Sequence, residues 1–246
     1  MLPQSCLIVV PCYNEAERLA LDEFRAVLAR WPNLQFLFVN DGSQDDTWSM
    51  LSAFAQEEEG ALALELPKNS GKAEAVRQGM LEALLLSDAQ YIGFFDADLA
   101  TPLSEIECLA QGLEKNANCW IAAGSRVRRL GSQIERKPIR HYLGRIFATV
   151  VSILLGISIY DSQCGAKLFR RQAVETLFED LFISAWFFDV ELFARLITKG
   201  PKLPINELAY EQPLRKWKEV GGSKIKATTF LKAPWELFRI YRHYFK

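Results

Sequence analysis

Five short apolar runs, at residues 7–10, 34–39, 62–66, 91–95 and 119–123, punctuate the first half of the chain. Runs this short read as β-strands. Between them lie stretches with helical spacing, at about 15–30, 45–58, 72–86 and 103–113. Ala73, Val76, Met80, Ala83 and Leu84 carry that spacing in the third stretch, and Ser43 or Asp45 is placed to cap the second. Strands alternating with helices predict an α/β fold with a mostly parallel central sheet flanked by helices. In such sheets ligands bind beyond the carboxyl ends of the strands. No repeat, low-complexity segment or Pro/Gly/Ser-rich linker divides the chain, so residues 1–246 read as one domain with a C-terminal elaboration.

Net charge is −1 over 246 residues, so no global excess of charge points to nucleic acid. The distribution is uneven. Residues 126–145 hold seven Arg or Lys against one acid, and residues 202–246 hold ten against four. Two basic stretches on a nearly neutral protein imply a localised anionic partner, such as phosphate or a membrane surface. Five scattered cysteines without a CxxC pair read as buried thiols in a reducing compartment. Only His141 and His243 are present, which disfavours a histidine metal site or a Ser-His-Asp triad. No signal peptide is expected at the N-terminus. The longest apolar stretch, 146–159, is shorter than the roughly 20 residues of a membrane-spanning helix. It reads as either a core helix or an interfacial one.

Several constellations sit at the strand ends. Pro11-Cys12-Tyr13-Asn14-Glu15 follows the first strand and could set a ring and a carboxylate against a nucleoside; a helix-capping turn is the plain alternative. Asn40-Asp41-Gly42-Ser43 follows the second. Helix capping accounts for Asp45 and Asp46 there, but not for Asp41, which is placed to accept a hydrogen bond from a base edge. Asp96-Ala97-Asp98 follows the fourth. Two carboxylates at i and i+2 repel each other unless a cation or proton intervenes. Hard oxygen ligands suit Mg²⁺ or Mn²⁺, which can bridge to a diphosphate. Asn69-Ser70-Gly71-Lys72 is not a P-loop, because GxxxxGK[ST] is absent. Lys72 and Arg77 are either pocket-lining or solvated. Phe188-Asp189-Val190-Glu191 offers an acceptor-side carboxylate, and residues 217–224 offer a glycine-rich phosphate clamp.

Taken in order, these motifs resemble family-2 glycosyltransferases of the GT-A (Rossmann-like) fold, and within them the dolichyl-phosphate glucosyltransferase and polyprenyl-phosphate sugar synthase branch. The resemblance covers about residues 5–225 and is most specific at Asp96-Ala97-Asp98 and at Ser162-Gln163-Cys164-Gly165-Ala166-Lys167-Leu168-Phe169. It implies that Pro11, Tyr13, Glu15 and Asp41 surround the nucleoside, with Lys72 lining the same pocket. Asp96 and Asp98 meet the metal and the diphosphate, and Lys224 approaches the diphosphate. Arg126 and Arg140 hold the acceptor phosphate. Gln163 and Lys167 lie by donor or acceptor, and Asp189 is the acceptor-side acid. Asp98, Asp189 and Arg126 are thus the expected catalytic set. Residues 1–125 would form the nucleotide-sugar half, and residues 126–246 the acceptor-binding and membrane-facing half.

Two positions depart from the pattern. Ala100 stands where some relatives carry a third metal ligand, a Gln, and Ala73 stands in place of a common Gly. No transmembrane helix, of the kind many relatives carry, is expected within these residues. Membrane contact is therefore expected from residues 136–159 and from an amphipathic C-terminus over 230–245.

The implied reaction is an inverting transfer of a hexose, glucose favoured over mannose, from a UDP- or GDP-sugar to a dolichyl or polyprenyl phosphate. The expected location is peripheral, at the cytoplasmic face of the membrane. The competing readings are a transferase with a soluble sugar or glycan acceptor, a DxD aspartyl phosphatase, and a non-catalytic nucleotide-sugar binding module. Ala100 and the late position of the DxD argue against the phosphatase.

Overall fold

The computed structural model describes residues 2–220 and 227–246, the side chains of 227–231 excepted; Lys224 and its glycine-rich neighbours therefore lie outside the described residues. The strands are β1 (Cys6–Cys12), β2 (Leu34–Asn40), β3 (Ala61–Glu65), β4 (Tyr91–Phe95), β5 (Ile121–Ser125), β6 (Gln133–Glu135), β7 (Ala166–Arg170), β8 (Ala209–Pro213) and β9 (Lys216–Lys218). The helices are α1 (Leu21–Arg30), α2 (Thr47–Glu57), α3 (Lys72–Leu86), α4 (Glu105–Glu114), α5 (Pro138–Leu155), α6 (Arg171–Phe178), α7 (Phe188–Lys199), α8 (Ile205–Leu208) and α9 (Ala227–Phe245).

Seven strands form one sheet in the order β3-β2-β1-β4-β7-β5-β8. Alternate residues of the strands feed two cores. Val9, Val39, Phe94 and Phe169 pack with Val76 and Met80 of α3 and with Val190 of α7 on one face. Ile8, Phe38, Phe95 and Leu168 pack with Phe24 of α1, Leu51 and Phe54 of α2 and Ile106 of α4 on the other. Burial on both faces explains why the strands read as unbroken apolar runs.

All neighbours pair in parallel except β7, which is antiparallel to both β4 and β5. The expected mostly parallel sheet is thus present, with one reversed strand that the apolar pattern did not announce. The direction of β7 sets the site: the residues before it, 161–165, emerge at the edge where β1, β2, β4 and β5 end.

Two element boundaries differ from expectation. The first helix begins at Leu21, not near Glu15. Glu15 is instead turned inward, 7 % exposed, with its N–H donated to Thr47 Oγ1 at 2.8 Å. The fifth strand is displaced to Ile121–Ser125, because Cys119 and Trp120 belong to the turn before it. Of the apolar stretch at 146–159, residues 146–155 form the later part of α5, which buries Ala148, Val151 and Leu155 and exposes Ile146, Val150 and Ile153; Gly156 ends the helix.

A buried network anchors α7. Arg195 and Glu191 are both wholly buried and pair at 2.9 Å. Arg195 also donates to the carbonyls of Leu177, Asp180 and Leu181 at 2.8, 2.9 and 2.7 Å, closing the loop before α7. Glu191 accepts from the backbone of Ile183 at 2.8 Å and from the Tyr244 hydroxyl at 2.8 Å, which ties α9 to the same point. Removing one partner strands a buried charge. Arg195→Met is therefore expected to lose about 3–5 kcal/mol, and Tyr244→Phe about 1 kcal/mol, as read by urea denaturation. An Arg195→Met protein as stable as wild type would contradict this burial.

Candidate functional site

Three loops at the ends of β1, β2 and β3 are laced together. Asn14, at φ 49°, accepts from Gln44 N at 2.8 Å and donates its own N–H to Ser43 Oγ at 3.0 Å. Asp45 accepts from the N–H groups of Ala16 at 3.2 Å and Thr47 at 3.1 Å and so ties the start of α2 to the first loop. The N-cap of α2 is Asp46, without a side-chain cap bond, and neither Ser43 nor Asp45 holds the capping position expected of it. Asp41 is 3 % exposed and takes the N–H groups of Ser70 and Gly71 at 2.7 and 2.9 Å. Burial pushes its carboxyl up, against those two bonds. Gly42, at φ 64°, allows this closure: a Cβ there would lie 2.5 Å from Asn69 N. The lacing gathers the loops that carry Tyr13, Glu15, Asp41 and Lys72 at the end of the sheet, with Pro11 at the end of β1. Asp41 is committed to holding the 69–71 loop. Arg18, which the pattern did not single out, donates to both oxygens of Glu15, its Nη2 at 2.6 Å, and lies within electrostatic reach of Asp98.

Asp96 and Asp98 follow β4. Asp96 donates its N–H to Gly165 O at 3.0 Å, and Gly165 packs so closely that a Cβ would meet Asp96 Oδ2 at 1.9 Å. Asp98 Oδ1 accepts from Ala100 N at 3.0 Å. Leu99 between them holds φ 51°, a strained conformation for a leucine and one of two such non-glycine residues among those described; the other is Asn14. Burial and then the charge of Asp96 push the Asp98 carboxyl up, while Ala100 N–H, Lys72 and Arg18 oppose them. Lys72 Nζ rests on Asp96 Oδ1 at 2.5 Å. The acid pair therefore already draws a cation to itself, and its two hard carboxylates fit a divalent ion. Among the described residues no third His, Cys, Asp or Glu joins them.

Across from this pair stand the basic residues. Arg126 and Asp161 form a two-toothed ion pair at 2.6 and 2.8 Å. Arg126 also donates to Gln163 O at 2.9 Å and stacks 5.5 Å from the Trp217 ring centre. Burial alone would raise the Asp161 carboxyl, but the Arg126 charge and bonds outweigh it and hold the value at about 2. Ser125 Oγ, Ser162 Oγ and Gln163 Nε2, on residues flanking this pair, are buried without a partner among the described residues. Buried polar atoms of this kind mark a place where water or a ligand completes the bonding. Arg136 lies within electrostatic reach of Arg126 and Arg140. Arg140 itself is paired with Glu219 at 2.7 Å, and Glu219 also accepts from Lys137 N at 3.1 Å at the start of α5.

Lys167 and Asp189 meet beneath the acid pair at 2.5 Å. Lys167 was expected beside the donor or acceptor; it is instead wholly buried under the site. Arg77 is a second correction. Its guanidinium binds Glu74 at 2.8 Å and the carbonyl of Glu179 at 3.1 Å, so it braces α3 and does not line the pocket. The sequence reading assigned no role to Asp161, Glu219 or Gly165. Gly165 stood inside the Ser162–Phe169 motif and Asp161 directly before it, and a lone acid before a turn was the only available signal.

A mostly parallel sheet with a reversed strand beside β4, an acid pair at the end of β4 and loops laced at the ends of β1 and β2 is the architecture of a GT-A glycosyltransferase. The chain belongs to Glycosyl transferase family 2, whose profile matches residues 7–178. It is 36 % identical over 253 residues to the dolichyl-phosphate beta-glucosyltransferase of Drosophila melanogaster, covering 96 % of this chain and 74 % of that protein. It is 34 % identical over 244 residues to the dolichyl-phosphate beta-glucosyltransferase ALG5C of Trichomonas vaginalis, covering 94 % and 69 %. In fold it is similar to glucosyl-3-phosphoglycerate synthase from Mycobacterium tuberculosis, solved with Mn²⁺, UDP-glucose and phosphoglyceric acid. There the TM-score is 0.68 and the identity 16 %, over 98 % of this chain and 80 % of that one.

The Arg126–Asp161 pair gives a pH test. The folded carboxyl titrates at about 2, below its ordinary 3.8. The pair therefore adds stability that is present above the ordinary value and is lost as pH falls through it toward 2. That acid-sensitive part is about 2 kcal/mol, and Asp161→Asn is expected to lack it. Urea midpoints should show wild type losing its advantage over the variant on acidification; an advantage independent of pH would contradict the pairing. Gly165→Ala is expected to push Asp96 aside and weaken Mn²⁺ binding by about tenfold or more, as measured by calorimetry.

Proposed function

We propose that the protein is an inverting hexosyltransferase that moves glucose, in preference to mannose, from a UDP- or GDP-sugar to a dolichyl or polyprenyl phosphate. The observation that carries this reading is the separation of charge at the sheet edge: an acid pair that holds a cation on one side, and Arg126, Arg136 and Arg140 on the other. The names of the relatives support the donor sugar and the lipid-phosphate acceptor.

In this reading residues 1–125 hold the donor and residues 126–246 the acceptor. Pro11, Tyr13, Glu15 and Asp41 enclose the nucleoside, and Lys224 approaches the diphosphate from outside the described residues. Asp96 and Asp98 hold Mg²⁺ or Mn²⁺, which when bound neutralises charge on the departing diphosphate. Lys72, already on Asp96, adds a positive charge at the same place. Arg126 and Arg140 position the acceptor phosphate for attack on the anomeric carbon. The second pKa of such a phosphate is about 6, so its oxygen is already a nucleophile at neutral pH and needs no strong base. Asp189 orients the acceptor, and Gln163 lies at the junction of the two halves.

The same reading places the protein on a membrane surface, at its cytoplasmic face. Ile139, Leu143, Ile146, Val150 and Ile153 form an exposed apolar stripe along α5, and Trp235 and Phe238 are exposed on α9. Arg128, Arg129 and Lys137 stand near the start of α5, where they complement anionic headgroups. Among the described residues no helix is long and apolar enough to cross a membrane.

Transfer of labelled sugar from UDP-glucose and GDP-mannose to dolichyl phosphate tests the reaction. Product is expected with UDP-glucose and Mn²⁺ or Mg²⁺. No product with any nucleotide-sugar would refute the reading, and transfer only to soluble sugars would move it to a different acceptor. Asp96→Ala combined with Asp98→Ala is expected to lower the rate by about 10³-fold or more. Ile146→Glu with Ile153→Glu is expected to reduce sedimentation with anionic vesicles while leaving UDP binding unchanged.

A further inference from the structure

We infer that Lys167 is a positioning residue: it acts through Asp189 and the 162–165 backbone, and touches neither donor nor acceptor. The inference rests on the proposed transfer reaction and deepens it at the same site.

The observations are geometric. Lys167 lies on β7, the strand that runs against its neighbours, and its side chain is 0 % exposed. An ammonium has three protons to donate. Here Ser162 O accepts one at 3.0 Å, Cys164 O one at 2.8 Å and Asp189 Oδ1 one at 2.5 Å. No proton is left over for a ligand. What Lys167 grips, however, reaches every part of the site. The loop it folds sends Gly165 O to Asp96 N at 3.0 Å and Gln163 O to Arg126 at 2.9 Å. Asp189, 4 % exposed at the start of α7, lies within electrostatic reach of Lys72, which rests on Asp96. One amine thus fixes the acid pair, the acceptor arginine and the acceptor-side carboxylate relative to one another.

Stability alone does not account for such a pair. A buried ion pair costs several kcal/mol in desolvation, and well-packed apolar replacements of the whole pair are often as stable or more so. Asp189 also stands in the first turn of α7, where the helix dipole favours its charge without help. A lysine inside the sheet, beside the Phe94 ring and between Phe94 and Ala123 of the neighbouring strands, is explained by what it aligns.

The test is a double-mutant cycle on the full chain with Lys167→Met, Asp189→Asn and both together. Lys167→Arg serves as the charge-conserving variant. Rates and KM are measured with UDP-glucose, UDP–Mn²⁺ affinity by calorimetry, and folding by thermal melting. If Lys167 acts through Asp189 and the 162–165 backbone, the double variant is no slower than Lys167→Met alone. Its kcat falls by about 100-fold while UDP–Mn²⁺ affinity stays within about threefold of wild type, and Lys167→Arg recovers part of the rate. Additive losses in the double variant would show that Lys167 contributes independently of Asp189 and would overturn the inference. So would a loss of UDP–Mn²⁺ affinity that parallels a fall in melting temperature, the mark of a purely structural residue. Wild type that transfers to no acceptor would sink the proposed reaction instead. Crystal structures of the same variants then read the positioning role directly. Asp189 and the 162–165 backbone are expected to shift in Lys167→Met, and their staying in place would refute it.

Discussion

The reversal of one strand governs this site. In a wholly parallel sheet every loop at the functional edge follows a strand, and each brings the residues that come after an apolar run. Because β7 runs antiparallel between β4 and β5, it delivers to that edge the residues that precede it. Asp161, Gln163 and Gly165 arrive this way, between the loop that ends β4 and the loop that ends β5. Gly165 then meets Asp96, and Asp161 meets Arg126, although 35 residues separate the latter two in sequence. The acid pair and the basic cluster are neighbours because this strand turns round.

The sequence disclosed elements in proportion to how strongly a single physical rule controlled them. β1, β2 and β4 are buried on both faces, so their apolar runs were unambiguous, and α3 matched its expected residues 72–86. The start of α1 was missed because the helical spacing was carried back to Glu15, through residues that the fold holds in a loop. The ion pair of Glu15 with Arg18 and the bond to Thr47 hold that loop, and neither is visible without the fold. β7 escaped notice because it carries Lys167 at its second position and Arg170 at its end, and a buried lysine breaks the apolar signature of a strand. The acid pair was legible as a cation site because two like charges at i and i+2 demand an explanation. The partners of Arg126, Arg140 and Lys167 were not legible, because tertiary structure alone brings them together.

Charge at the site is arranged in pairs. Lys72 faces Asp96, Lys167 faces Asp189, Arg126 faces Asp161 and Arg140 faces Glu219. The pairs differ in burial, and burial sets their roles. Lys167 and Asp189 are almost wholly enclosed, Arg126 and Asp161 nearly so, whereas Lys72 and Arg140 keep 39 % and 47 % of their side chains exposed. An exposed pair contributes little to stability and exchanges partners cheaply. An enclosed pair is held by the cost of stranding its members. The two exposed cations are therefore those that an incoming anion can recruit, and the two enclosed ones hold the frame on which they act.

This division bears on how a phosphate acceptor and a diphosphate donor can occupy one site without repelling each other. Both ligands are anionic. Each needs a positive group that is free to turn toward it, and each needs that group to start from a fixed place. Under the proposed reading Lys72 serves the donor and Arg140 the acceptor, and each leaves a carboxylate behind when it turns. On the donor side that carboxylate is Asp96, whose charge a divalent cation then balances. On the acceptor side it is Glu219, at the start of α5, where the helix dipole favours a negative charge. Arg126 moves least. Its Nε and Nη2 are committed to Asp161 and Gln163, which leaves Nη1 to face the acceptor from a guanidinium that cannot swing away. Under the same reading, one fixed arginine and two recruitable cations would keep the two anions at a set separation, as an in-line displacement at the anomeric carbon requires.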